Sequence, residues 1–201
     1  PALVARIAEG QADFAKGNRF FHPKTLGKMP TVRIIGNSAL SFMTKMSSGY
    51  WRVYDPTNGF TAIHASVARM LPFESIAQGY FFESDMLYHL GLLRCVVVDI
   101  PHHARYGDEE SNLKILGVIP RFLKGHLRNA ASRIVLQYFL RDFSVASLEL
   151  LAGLALMFFG FVFGAYHWIA SIMTGIPASS GTVMLASLPC IVGLQCLLGF
   201  L

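Results

Sequence analysis

Apolar and polar positions fall into three regimes along this chain. The first, over residues 1–111, is mixed, with short apolar runs cut by turn residues. Pro1–Glu9 has helical character, and Ala12–Phe20 is predicted to form a strand with a Gly turn. Val32, Ile35, Leu40 and Met43 recur at helical spacing within Thr31–Met46. Trp51–Tyr54 is short and β-prone. Ala65–Leu71 is a short helix stopped by Pro72. Tyr80–Leu93 is a helix with Phe82, Met86, Leu87 and Leu90 to one side. Cys95–Ile100 is a continuous β-branched run, the pattern of a strand covered on both faces. These elements predict an α/β domain, and one too small for a complete doubly wound sheet.

The second regime, Asn112–Ser144, interleaves cations with apolar residues. Lys114, Arg121, Lys124, Arg128, Arg133 and Arg141 face a single acid, Asp142, and alternate with Leu116, Ile119, Phe122, Leu123, Leu127 and Ile134. A helix of this kind lies in the interface of an anionic leaflet. The third regime is apolar throughout. Val145–Ile169 is a run of 25 residues, and Val183–Leu201 a second run of 19, joined by a link containing Gly175, Pro177, Ser179, Ser180 and Gly181. About 20 apolar residues cross the ~30 Å of bilayer hydrocarbon. The expected division is therefore 1–111, 112–144 and 145–201.

Charge sharpens this picture. The chain carries 29 formal charges, and none lies in the 52 residues from Leu150 to Leu201. Ionised side chains are costly in hydrocarbon, so this composition excludes a water-facing domain there. Tyr166, His167 and Trp168 suit the headgroup layer, and Glu149 belongs at interface depth. The cations before the first run, set against an uncharged link, put residues 1–144 on the cytoplasmic side, with a multi-pass anchor and a short external hairpin. The net charge of +5 needs no nucleic-acid partner, since the membrane surface accounts for it. Cys95, Cys190 and Cys196 form no metal or redox spacing, and His102–His103 has no third ligand at suitable spacing. Gly160 and Gly164 form a Gly-x-x-x-Gly pair that allows a helix contact within the chain or in a homo-oligomer. The chain begins at Pro1, within helical sequence, and ends within an apolar run, as a part of a longer polypeptide would.

Four constellations carry candidate chemistry. Lys16-Gly17-Asn18-Arg19-Phe20 runs from a strand into a loop with a cation. Asp55-Pro56-Thr57-Asn58-Gly59-Phe60 imposes a turn that can hold its Asp and Asn rigidly. Phe82-Glu83-Ser84-Asp85-Met86 puts two acids on an otherwise apolar helix. Arg105-Tyr106-Gly107-Asp108-Glu109-Glu110-Ser111 follows a strand, where ligands of open α/β sheets bind. Each has a plain structural competitor: Asp55 and Asn58 as turn caps, Glu83 as a solvated helix position, Asp85 as an internal salt-bridge partner, Arg19 and Arg33 as surface cations.

In order and spacing the four resemble family 2 glycosyltransferases of the GT-A fold, in particular the polyprenyl-phosphate branch that includes dolichol-phosphate mannose synthases and their bacterial relatives. The elements carrying the resemblance are Gly17-Asn18-Arg19-Phe20, Arg33, Asp55–Phe60, Phe82–Met86 and Arg105–Leu113, followed by the basic segment and two spans. The resemblance implies the second half of a GT-A-like domain. It also implies transfer of one sugar from a nucleotide sugar to a polyprenyl phosphate. Arg19 and Arg33 would hold the acceptor phosphate with Asn37. Asp55, Glu83 and Asp85 would act at the reacting centre, and Arg105, Tyr106 and Ser111 would order the donor loop. A divalent metal, Mg or Mn, is expected, its Asp-x-Asp ligands lying upstream of Pro1 and none of them in this chain. The pattern's last Lys is Asn112 here, which removes one donor-phosphate contact. Two other readings stay open: a non-catalytic subunit that anchors or presents lipid, and a small transport module, which the lack of intramembrane charge disfavours.

Overall fold

The computed structural model describes residues 2–21, 31–101 and 115–201. Arg105, Tyr106, Ser111 and the His102–His103 pair lie outside them. The chain divides into two compact units, 1–134 and 135–201. The amphipathic segment expected as a separate piece is thus shared between them.

In the first unit, helix α1 (Ala2–Ala8) leads to strand β1 (Phe14–Asn18). Helix α2 (Thr31–Ser48), strand β2 (Thr61–Ile63) and the short helix α3 (Ala65–Met70) follow. A 3-10 turn, Gly79–Phe81, leads into helix α4 (Phe82–Leu92); strand β3 (Val97–Pro101) and helix α5 (Ile115–Ile134) complete the unit. The sheet is mixed, in the order β2-β1-β3. β1 runs antiparallel to β2, with Lys16 opposite Thr61, and parallel to β3, with Lys16 opposite Asp99. Paired residues share a face, so Thr61, Lys16 and Asp99 form one row across the sheet.

Only the central strand is buried along its whole length. β3 is half-buried and ends exposed. The expectation of a strand covered on both faces therefore fails: β-branched residues suit a pleated surface whether or not both sides are covered. Trp51–Tyr54 is no strand either. Turn bonds from Trp51 to Gly49 and from Val53 to Tyr50 consume its amides, and the Asp99 carboxylate accepts from the Tyr54 amide at 2.8 Å.

The core is built from Phe14, Val53, Val67, Leu71, Ile76, Met86, Leu87 and Leu90. Helices α2, α4 and α5 pack together beside it. Helix α5 is inverted relative to an ordinary surface helix. Its buried face carries Phe122, His126, Asn129 and Arg133, while Ile119, Leu123 and Leu127 are exposed. Polar atoms on the buried face need partners. His126 Nδ1 lies 2.9 Å from Ser47 Oγ, and Asn129 donates to Asp85 Oδ1 at 2.6 Å. Phe81 and Phe122 flank the His126 ring, and burial pushes its pKa down to about 4.

The second unit begins with a π-helical turn, Val135–Arg141, followed by α6 (Val145–Thr174) and α7 (Ser180–Phe200). Both helices are long and apolar enough to cross a membrane, with mean hydropathy of 2.1 and 2.0. Most of their surface is open. Phe158, Phe161 and Trp168 are each more than 70% exposed, which a soluble core helix would not tolerate. The chain is therefore read as a membrane protein. Glycines set the helix contact: a Cβ on Gly160 would lie 2.6 Å from Cys190 Sγ, and one on Gly193 would lie 2.9 Å from the Gly153 carbonyl. Of the two contacts that Gly160 and Gly164 allow, the structure uses the one within the chain, against Ala186 and Cys190.

Candidate functional site: a guanidinium–carboxylate clamp beside an aromatic groove

The C-terminal end of β1 brings together residues far apart in sequence. Gly17 donates its amide to the Phe60 carbonyl at 2.8 Å, tying the Asp55–Phe60 turn to the strand. Asn58 completes the tie. Its side-chain amide donates to the Gly17 carbonyl at 2.8 Å, and its Oδ1 accepts from the Phe60 amide at 3.1 Å. Asn58 thus caps the turn, one of the two roles its residue type allows, and Asp55 joins the turn through its main-chain carbonyl, which accepts from the Asn58 amide at 3.4 Å.

Asp55 has a second task. Its buried carboxylate grips Arg19 in bidentate fashion, Nε to Oδ2 at 2.8 Å and Nη2 to Oδ1 at 2.9 Å. Oδ2 also accepts from the Arg19 backbone amide at 3.0 Å. Thr57 Oγ1 lies 3.3 Å from Nη2. Paired charge-assisted bonds of this geometry fix a guanidinium in orientation as well as position.

Arg19 also stands over the Phe20 ring, 5.9 Å from its centroid. Phe20 lines an open groove of about 480 Å³ with Ile34, Asn37, Ser38, Phe42, Lys45, Trp51 and Tyr54. Within the lining Phe42 and Trp51 meet edge to face, and Asn37, Ser38 and Lys45 of α2 supply polar groups. Lys45 Nζ sits 4.3 Å from the Tyr54 ring centroid. The groove thus offers one cation, one amide and two serine hydroxyls next to exposed aromatic surface.

Behind the clamp lies a buried polar cluster that joins Lys16 of the first constellation to Asp99, which no motif singled out. Lys16, on the central strand, is 1% exposed. Its ammonium donates to the Asn58 carbonyl and faces Asp55, Glu83 and Asp99. Burial pushes its pKa down to about 8 despite those three carboxylates. Asp99 accepts from Asn18 at 3.1 Å, and burial raises its pKa. A lysine inside a strand otherwise of small and apolar residues was the signal for this cluster; a single buried cation in a strand has no sequence motif.

The two acids of α4 part company. Glu83 lines a cavity of about 70 Å³ with Lys16, Gly59, Thr61 and Phe82. Asp85 points the other way, to α5. Its oxygens accept from the Ala77 amide at 2.7 Å and from Asn129, with Arg128 at 3.6 Å. It is fully buried and is spent on joining α4 to α5. Arg19, Asp55 and Glu83 are thus gathered around one turn, and Asn37 lies in the adjoining groove. The Arg33 side chain lies outside the described residues, although its backbone is one turn before Asn37 on α2.

Among the described residues no group of three or more His, Cys, Asp and Glu could hold a metal. The ligands of the metal that the resemblance implies are expected upstream of Pro1, outside these residues. The chain matches no family model, no curated protein and no solved structure.

Proposed function

We propose that the chain works as the acceptor-binding, membrane-bound part of a glycosyltransferase of GT-A-like fold. The enzyme moves one sugar from a nucleotide sugar to a polyprenyl phosphate at the cytoplasmic face of the inner membrane, and it needs the donor-binding half upstream of Pro1 for transfer. The observation that carries this reading is the oriented Arg19 guanidinium, held by buried Asp55 beside a groove lined by both aromatic and polar side chains. A phosphate needs forked cationic donors, and an isoprenoid tail needs apolar surface leading to the bilayer. Two membrane-length helices in the same chain agree with a lipid substrate. So does the exposed Ile119, Leu123 and Leu127 stripe of α5.

In this reading Arg19, Arg33 and Asn37 hold the acceptor phosphate. Asp55 acts through Arg19 as a positioning residue, and Asp85 positions α4. A phosphate oxygen attacks the anomeric carbon of the sugar. The bond from that carbon to the donor phosphate breaks, and the nucleotide leaves with the electron pair. The attacking phosphate is already ionised at neutral pH, its second pKa being about 6, so no general base is needed. Catalysis then rests on positioning and charge stabilisation. Arg105, Tyr106 and Ser111 would meet the donor.

The test is a transfer assay with membranes containing the full protein, a panel of labelled nucleotide sugars and a polyprenyl phosphate. Label should enter the lipid fraction, and Arg19→Ala with Arg33→Ala should abolish it. Unchanged transfer by the double variant would falsify the assignment.

A further inference from the structure

We infer that Lys16 is a positioning residue for the phosphate site: as an ammonium ion it holds the Asp55–Gly59 turn against β1 and thereby keeps Arg19 in its phosphate-binding orientation. This rests on the acceptor-phosphate reading given above.

The connection runs through a chain of hydrogen bonds. Lys16 donates to the Asn58 carbonyl. Asn58 in turn holds the turn to β1 through Gly17 and Phe60. Asp55, three residues earlier, receives the Asn58 amide on its own carbonyl at 3.4 Å and clamps Arg19. Lys16 therefore supports from beneath the same turn that aims the guanidinium.

Electrostatics give the same assignment. The charged groups facing Lys16 are Asp55 on the turn, Glu83 on α4, Asp99 on β3 and Arg19 beyond β1. With Lys16 charged, two cations stand among three carboxylates. With Lys16 neutral, one cation remains, and Asp55, Glu83 and Asp99 repel one another in a poorly solvated site. Asp99 Oδ1 is buried with no hydrogen-bond partner, so this cluster has little spare capacity to absorb the loss. A neutral amine can still share a hydrogen bond, but it no longer holds the carboxylates together.

Function and stability then respond to pH in opposite directions. The Lys16 pKa is lowered from 10.5 to about 8. Between those values the unfolded chain binds more protons than the folded one, so this group makes the fold more stable as pH rises. Over the same interval the ammonium that supports the turn is lost. Weaker phosphate binding from general unfolding would require the opposite stability trend. The acceptor does not confuse the reading, because a phosphate monoester is already a dianion above about pH 7.

The experiment measures binding of a short-chain polyprenyl phosphate to the full chain in detergent at pH 7 and pH 9, with thermal melting at both. The protonated fraction of a group titrating near 8 falls about tenfold over that interval. Wild-type binding should weaken by up to the same factor while the melting temperature does not fall. Lys16→Arg, which stays charged, should bind equally at both pH values. Lys16→Met should bind weakly at both. Wild-type binding that is strong and indifferent to pH, or Lys16→Met binding like wild type, overturns the role of Lys16 and leaves the phosphate site standing. No wild-type binding at either pH overturns both. Should Lys16→Met fail to fold, the comparison of wild type with Lys16→Arg decides the matter.

Discussion

Replacing Asp55 by Ala removes the acceptor for three donors at once: Arg19 Nε, Nη2 and the Arg19 amide, all within 3.0 Å. The carboxylate is wholly buried, and the Arg19 side chain is 22% exposed. Stripping one partner from a fully buried pair costs about 3–5 kcal/mol, because the other charge is stranded. Partial access of water to Arg19 moves this site to the lower end, about 2–4 kcal/mol. Lys16 lies nearby and adds like-charge repulsion once Asp55 is gone. For a unit of this size each kcal/mol corresponds to roughly 2.5–4 °C in melting temperature. A drop of about 5–15 °C is therefore expected for the first unit. The chain has two tryptophans, Trp51 and Trp168, one in each unit. In a Trp168→Phe background, Trp51 fluorescence follows melting of the first unit alone. Asp55→Asn keeps an amide oxygen as acceptor and should lose roughly half as much, since a neutral acceptor makes the weaker bond. A melt of Asp55→Ala within 1 °C of wild type would show that the clamp contributes no stability and refute this account.

Gly160→Leu should pry α6 from α7, since even a Cβ there meets Cys190 Sγ at 2.6 Å and the Ala186 carbonyl at 2.7 Å; a loss of about 1–3 kcal/mol for overpacking should appear as a lower midpoint in SDS titration of the hairpin. His126 sits buried and neutral, its pKa lowered to about 4 from 6.5, so the unfolded chain takes up its proton first; stability present above pH 6.5 should decline as pH falls toward 4, and His126→Leu should flatten that part of the curve in acid-unfolding measurements. Leu123→Trp, with both native tryptophans replaced by Phe, should emit at short wavelength in anionic vesicles and be quenched by brominated lipid, because Leu123 lies on the exposed apolar stripe of α5; water-like emission would mean that this stripe does not meet lipid.

Much was determined by sequence alone, because it depended on local pattern. Charge absence over Leu150–Leu201 and helix-length apolar runs are properties of consecutive residues, and both spans formed where expected. Helices α2, α3 and α4 followed from apolar spacing and from Pro72. Turn chemistry at Asp55–Phe60 was legible too, since Pro, Asn and Gly act within a few residues. What depended on contacts between distant segments was not legible. Glu83 and Asp85 stand two apart on one helix, and rotation about the helix axis sends one toward Lys16 and the other toward Asn129. The inverted face of α5 required neighbours on α2 and α4 to partner His126 Nδ1 and Asn129. Lys16 stood in the first constellation without a role of its own, and only its place on the central strand, between β2 and β3 and beneath the Asp55 turn, buries it. Hydrophobic period reports which residues leave water; which polar groups go with them is decided by the partners that the fold brings within hydrogen-bonding distance.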